Sequence, residues 1–363
     1  MKKIYFTPGP SQLYPTVPMH LIQALKDDIC SISHRSQTFK DIYKQAIDNI
    51  RALISIPLTH EIAFLPSSLE VMEQIIQNMV KKKSFHVIDG AFSKRWYDMA
   101  INLGKKSSFI TLKPSQLFNQ KTIPQHTELI CITHNETSIG MMIPLDKIYA
   151  VKRKYPHTPI ALDIVSSFPY PQINFKMIDV AFFSVQKGLG LPAGLSILIV
   201  NNKFTGKDTG SFHSFKELFT KSRQYQTPET PNTLGIYLTA KVTHNMLKKG
   251  INTIRKEIDE KSKRIYDYFN NCSWGKSFIK EQQYRSITTI DIDVYGKTEE
   301  IIKKLTHYGM IVGKGYGEYK EQHIRIANFP QHSIKNIKKL VNILEKACGG
   351  TGDKTSAHKN MMA

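Results

Sequence analysis

From about residue 50 to residue 200 the chain alternates short apolar runs with longer stretches whose apolar positions recur at three- and four-residue spacing. That alternation predicts strands and helices wound into a largely parallel sheet. The runs EIAFL (61–65), FHVID (85–89), ELICIT (128–133), PIALDIV (159–165), DVAFFSV (179–185) and LSILIV (195–200) are rich in Ile, Val, Leu and Phe. Such unbroken apolar character is what strands covered on both faces require. Helices are predicted between them over 69–80 and 94–102. Ligands of such sheets bind beyond the carboxyl ends of the strands, so the polar residues just after each run are the candidates for chemistry.

The pattern changes after the proline-rich stretch YQTPETPNT (225–233). A helix over 234–249 closes at Gly250, a plausible C-cap, and a second helix spans 251–270. Next come the alternating strand SITTIDIDV (286–294), a helix opening at Thr298 with Glu299 and Glu300 in its first turn, the strand HIRIAN (323–328) and a helix over 333–346. These elements predict an α+β lobe. A chain of 363 residues exceeds what one core organises, so two unequal domains are expected. The expected division is an N-terminal arm (1–15), a large domain (16–240), a small C-terminal domain (241–347) and a disordered tail (348–363) that lacks periodicity.

Composition narrows the classes. Hydrophobic residues at 41% supply a packed interior, yet no stretch approaches the ~18 to 20 apolar residues of a membrane helix. Pro8 and Pro10 interrupt the N-terminus where a secretory signal needs an apolar run, so a cytoplasmic location is expected. Cys30, Cys131, Cys272 and Cys348 are scattered, without metal-ligand or disulfide-framework spacing, so no metal is expected. The formal charge of +20 favours anionic partners, but the basic residues fall in small groups such as Lys81 to Lys83 and Lys338 with Lys339. Solvated helix faces account for that distribution better than a nucleic-acid footprint, which would concentrate charge on one element among aromatics.

Two residues carry the strongest chemical signal. In SVQKGLGLPAG (184–194) Lys187 follows an apolar strand directly and enters a glycine-rich loop. Partial desolvation at the mouth of a sheet would lower its amine pKa and make it a competent imine former, although a lysine in a loop is ordinary when taken alone. Asp163 ends the apolar run of PIALDIVSS and stands 24 residues earlier, room for one crossover and a return strand. An aspartate at that depth needs a cationic partner to stay ionised; the plain alternative is a turn or cap residue.

These features, with FTPGP (6–10), SHRS (33–36), LPSSLEVME (65–73), GAFSKRW (90–96), HNETS (134–138) and the loop around Thr230, occur in the order found in class V aminotransferases of fold type I. The chain resembles that family over nearly its whole length to about residue 347, and within it the phosphoserine-specific members most. The resemblance implies an α/β fold: a large domain with a mostly parallel seven-stranded sheet and a small C-terminal α+β domain. It implies pyridoxal 5'-phosphate held on Lys187, with Asp163 against the pyridine nitrogen. By position, Ser68 and Leu69 would bind the cofactor phosphate at a helix N-terminus, Phe92 would stack on the ring, Thr137 would sit near its phenolic oxygen or near Asp163, and Gln186 would contact the phosphate. Thr230 would reach the phosphate of a neighbouring subunit, which implies a homodimer. Arg325 would fork onto the substrate α-carboxylate, while His34 and Arg35 would receive a distal anion. The implied reaction is transamination between amino acids and 2-oxo acids, foremost phosphoserine with 2-oxoglutarate in serine biosynthesis. The alternatives are an alanine:glyoxylate or serine:pyruvate transaminase and, from another class, a basic nucleic-acid-binding protein on the same fold. The stretch KGYG (314–317) departs from the family's KGHR by lacking the arginine, which leaves distal recognition to His34, Arg35 and Lys314.

Overall fold

The computed structural model describes residues 3–112 and 123–348; Cys348, the first residue of the tail expected to be disordered, ends a helix, and the rest of that tail (349–363) lies outside the described residues. The first part of the chain runs β1 (Ile4–Phe6), α1 (Val17–Lys26), α2 (Gln37–Leu53), β2 (His60–Leu65), α3 (Ser68–Met79), β3 (Ser84–Ile88) and α4 (Ala91–Asn102). The middle continues β4 (Ser108–Thr111), β5 (Leu129–Thr133), β6 (Asn135–Glu136), β7 (Met141–Met142), α5 (Leu145–Lys154), β8 (Ile160–Asp163), β9 (Val180–Ser184) and β10 (Ser196–Asn201). The last part adds α6 (Phe215–Arg223), α7 (Thr233–Lys249), α8 (Ile251–Asn270), β11 (Lys276–Ser277), β12 (Thr289–Asp293), α9 (Thr298–His307), β13 (Met310–Lys314), β14 (His323–Ala327) and α10 (Ile334–Cys348).

The expected seven-stranded sheet is present in the order β2-β10-β9-β8-β5-β3-β4. All its pairings are parallel except those of β10, which runs antiparallel to both β2 and β9. The central strands serve two cores at once, because successive side chains leave a strand on opposite faces, whereas the edge strand β4 stays half exposed. Along β2, Ile62 and Phe64 join the cluster under α2 and α7, while Ala63 and Leu65 join the one under α3, α4 and α6. Burying each large apolar side chain of this kind contributes roughly 1.5 to 3 kcal/mol.

The smaller sheet has the order β1-β13-β14-β12-β11. Its edge strand comes from the start of the chain: Ile4, Tyr5 and Phe6 pair in parallel with Met310, Ile311 and Val312. This pairing carries the segment Pro8 to Pro10 from one sheet toward the other. Sequence periodicity did not predict β1, which is three residues long.

Helix α2 was also unassigned, although its signals are local. The Ser36 hydroxyl accepts from the Phe39 amide at 3.2 Å as N-cap, and Phe39, Tyr43, Ala46, Ile47, Ile50 and Leu53 form its buried face. Helix α4 begins three residues before the predicted start at residue 94, and this earlier start matters for the site. Among the described residues no helix is long and apolar enough to cross a membrane.

Candidate active site

Strands β8 and β9 are parallel neighbours, so the residues at their carboxyl ends emerge on the same side of the sheet. Asp163 is the last residue of β8, and Lys187 follows β9 after Val185 and Gln186. Both line a cavity of about 350 Å³ together with residues that follow β2 and β5. The Lys187 ammonium donates to Thr137 Oγ1 at 3.2 Å and stands 5.3 Å from the Phe92 ring centroid.

Burial dominates the electrostatics of the pair. It pulls the Lys187 amine down to about 8, an effect that Asp163 and Glu136 oppose. It also pushes the Asp163 carboxyl up to about 7, against the Val165 amide, which donates to Oδ1 at 2.8 Å, and against Lys187. Asp163 is thus poised to ionise fully when one more cation joins it. A neutral amine, the nucleophilic form, is available on Lys187 near neutral pH.

The backbone around the lysine leaves no slack. A Cβ on Gly188 would lie 1.8 Å from the Phe168 carbonyl oxygen, so only glycine fits after the lysine. Above it, Gly9 has φ +154°, and a Cβ there would meet Lys187 Cε at 2.9 Å. The Ser11 amide donates to the Gln186 carbonyl at 3.1 Å, and the Gln331 amide to the Lys187 carbonyl at 2.8 Å. The lysine backbone is therefore held by the N-terminal segment and by the loop between β14 and α10.

At the other end of the cavity, Ser67, Ser68 and Leu69 form the N-terminus of α3. Ser67 caps it by accepting from the Glu70 amide at 3.2 Å, and Ser68 Oγ lies 3.0 Å from Ser196 Oγ. Free amides and the helix dipole make such a terminus a seat for an anion. Thr133 Oγ1, Asn135 Oδ1, Ser184 Oγ and Gln186 Oε1 are buried without a hydrogen-bond partner, and all four residues line the cavity. Each unpartnered group costs about 1 to 3 kcal/mol, a penalty that a polar guest removes.

The aminotransferase class-V family model matches residues 4–321. The chain belongs to the class V aminotransferases. It is 43% identical to a phosphoserine aminotransferase of Cytophaga hutchinsonii whose crystal structure superimposes with a TM-score of 0.92, covering 95% of this chain and 98% of that one. Phosphoserine aminotransferases of Lactococcus lactis subsp. cremoris and Rhodococcus opacus are 25% and 23% identical, covering 94% and 93% of this chain and 97% and 93% of theirs. An aspartate aminotransferase from Thermus thermophilus shares the fold with a TM-score of 0.85 at 17% identity, covering 95% of this chain and 99% of that one. The non-enzymatic nucleic-acid-binding alternative is set aside by this membership.

In this class V aminotransferase, Ser68, Leu69, Phe92, Thr137, Asp163, Gln186, Lys187 and Arg325 converge on one cavity. Arg325, on β14, donates to the carbonyls of Lys314 at 2.7 Å and Thr137 at 3.0 Å.

Three expected residues are elsewhere. Arg35 is exposed and His34 half-buried with Nε2 unpartnered, and neither lines the cavity of its own chain. Both sit in the turn before α2, which packs against α7 on the far flank of the sheet. Thr230 lines a separate cavity of about 210 Å³ with Glu229 and Gly194. The Lys314 side chain is paired with Glu299 at the surface, so it adds no charge to the site.

Sequence reading missed Arg95, Tyr316 and Glu136. Arg95 and Tyr316 line the cavity, and Arg95 Nη2 donates to the Tyr316 hydroxyl at 3.1 Å. Arg95 is one helical turn beyond Phe92, a relation that a helix starting at residue 94 does not contain. Glu136 is fully buried; its Oε2 accepts from the amides of Phe92 (3.1 Å) and Ser93 (3.0 Å) and its Oε1 from the Ser138 hydroxyl at 2.6 Å. It fixes the N-terminus of α4, and with it Phe92.

Proposed function

We propose that this aminotransferase is pyridoxal-phosphate-dependent and acts on phosphoserine with 2-oxoglutarate. The observation that carries the cofactor assignment is the single cavity in which a neutral-prone buried lysine, a carboxyl lacking its cation and a helix N-terminus face one another. The four unpartnered polar atoms of the lining agree with a polar guest there. When bound, pyridoxal phosphate supplies an electron sink for the substrate α-carbon. Ser68 and Leu69 would hold its phosphate, with Gln186 nearby, and Phe92 its ring face. Asp163 would take up the charge of its nitrogen, and Thr137 would lie beside its ring oxygen.

Lys187 would hold the cofactor, and its amine, freed by the substrate, would serve as the base that takes the proton from the substrate α-carbon and as the acid that gives it back. Phe92 and the Pro8–Pro10 segment keep water from that amine. Arg325 holds the substrate α-carboxylate by a fork whose other donors are fixed to backbone carbonyls. The substrate choice is supported by the names of the relatives above. Thr230, His34 and Arg35 could take part only from a second copy of the chain, so the reading includes a homodimer with sites completed across its interface. It also includes the division into arm (1–15), large domain (16–240) and small domain (241–347).

The test is borohydride reduction of the cofactor-loaded protein, peptide mapping, and then transamination of phosphoserine beside alanine. The label should fall on Lys187 and phosphoserine should be preferred. A label on another lysine would overturn the cofactor assignment. Preference for alanine would point to the alanine:glyoxylate alternative, which the surface pairing of Lys314 favours by removing one cation from the site.

A further inference from the structure

Every amino donor and acceptor in a transamination carries an α-carboxylate, but only some carry a second anion, and these need a second cation. The basic residues of the cavity lining are Lys187, Arg95 and Arg325. Lys187 is committed to the reacting carbon, and Arg325 is the α-carboxylate candidate. Arg95 is left over.

Its placement is specific. The Arg95 guanidinium lies 5.6 Å from the Phe92 ring centroid and donates to the Tyr316 hydroxyl. The Tyr316 ring in turn lies 5.2 Å from the Phe92 ring and 5.3 Å from the Arg325 guanidinium. Phe92 and Tyr316 thus form an aromatic wall that carries one arginine at each side, both facing the cavity. Among the described residues neither arginine forms a salt bridge within 4 Å, although the buried carboxylates of Asp291, its cross-strand neighbour, and Glu136 support the charge of Arg325; Arg95 has the Tyr316 hydroxyl as its partner. An anion with two acidic ends can meet one guanidinium at each side of this wall.

We propose that Arg95 is the specificity-determining residue that binds the distal anion of the substrate from within the same chain, with Arg325 on the α-carboxylate and Tyr316 setting the distance between them. The substrate class is then an amino or oxo acid with a phosphate or carboxylate at its far end. This rests on the transaminase reading above. Arg95 supplies this cation within one chain, beside any that His34 and Arg35 bring from a second copy.

The experiment compares cofactor-loaded wild type with Arg95→Met, Arg95→Lys and Arg35→Met, thermal unfolding confirming that each variant folds. Two quantities are measured: the ratio of kcat/KM for phosphoserine to that for alanine, and the calorimetric Kd of glutarate relative to pentanoate, which lacks the second carboxylate. Arg95→Met should lower the kinetic ratio about 10- to 100-fold, the usual worth of a charge-assisted hydrogen bond at a partly wet site, and abolish the preference for glutarate. Arg95→Lys should recover part of both, because the charge stays while the fork is lost. Equal losses for phosphoserine and alanine, or a collapse of the ratio in Arg35→Met with Arg95→Met unaffected, would overturn the proposal while leaving the transaminase standing. A wild type that transaminates neither amino acid would sink the reaction, and the glutarate preference would still judge Arg95.

Discussion

The lowered basicity of Lys187 yields the most direct quantitative test. Burial shifts this amine from 10.5 to about 8, which corresponds to roughly 3 kcal/mol of lost preference for the charged form. At pH 7 the neutral fraction therefore rises from roughly 0.03% to roughly 10%, about 300 times more nucleophile. Cofactor-free protein labelled briefly with acetic anhydride across pH 6 to 11, beside a free-lysine peptide, reads this out by mass spectrometry of the Lys187 peptide. The labelling midpoint should lie near 8, whereas the peptide standard titrates near ~10.4. Asp163 is the largest influence holding the proton on, so Asp163→Asn should move the midpoint lower still. A wild-type midpoint at or above 10, or an upward move in Asp163→Asn, would refute the reasoning. A linked effect has a fixed sign: between about 8 and 10.5 the unfolded chain binds a proton that the folded chain does not. The contribution of Lys187 to stability therefore rises with pH across that window, and Lys187→Met should remove that part of the slope in urea titrations.

Other outcomes follow from single contacts. Asp163→Asn should cut turnover sharply while borohydride still fixes the cofactor on Lys187; near-normal turnover would remove Asp163 from the electron-sink role. Glu136→Gln replaces an acceptor of buried amides with a donor, and should cost about 2 to 4 kcal/mol in denaturant unfolding and loosen Phe92. Gly188→Ala should displace the Lys187 loop and abolish cofactor attachment, since its Cβ would stand 1.8 Å from a backbone oxygen that cannot move aside cheaply. If a second copy completes the phosphate site, light scattering should give a dimer, and Thr230→Ala should weaken cofactor affinity with little change in unfolding temperature; an active monomer would contradict this.

The sequence by itself determined whatever depends on neighbours along the chain. Apolar runs bounded by glycine and polar residues located the six core strands of the large sheet from residue 61 onward, because a strand covered on both faces has no polar position to spare. Lys187 and Asp163 were found for the same reason, each a polar residue at the end of such a run. Helix α2 was equally encoded, in the Ser36 cap and a periodic apolar face, and was simply not read. The tertiary structure alone decided the rest. Nothing local in Ile4–Phe6 names Met310, Ile311 and Val312 as its partners, yet this pairing draws Gly9 across the lysine. Lys187 meets Thr137 across 50 residues because strand order puts the carboxyl ends of β5 and β9 near one another, and Arg95 on α4 meets Tyr316 across 221 because the smaller sheet packs its β13 end against that site. His34 and Arg35, in the turn before α2, do not reach the cavity of their own chain. Periodicity records which face of an element is buried but not which element covers it, and the far-reaching polar contacts of this site depend on that second choice.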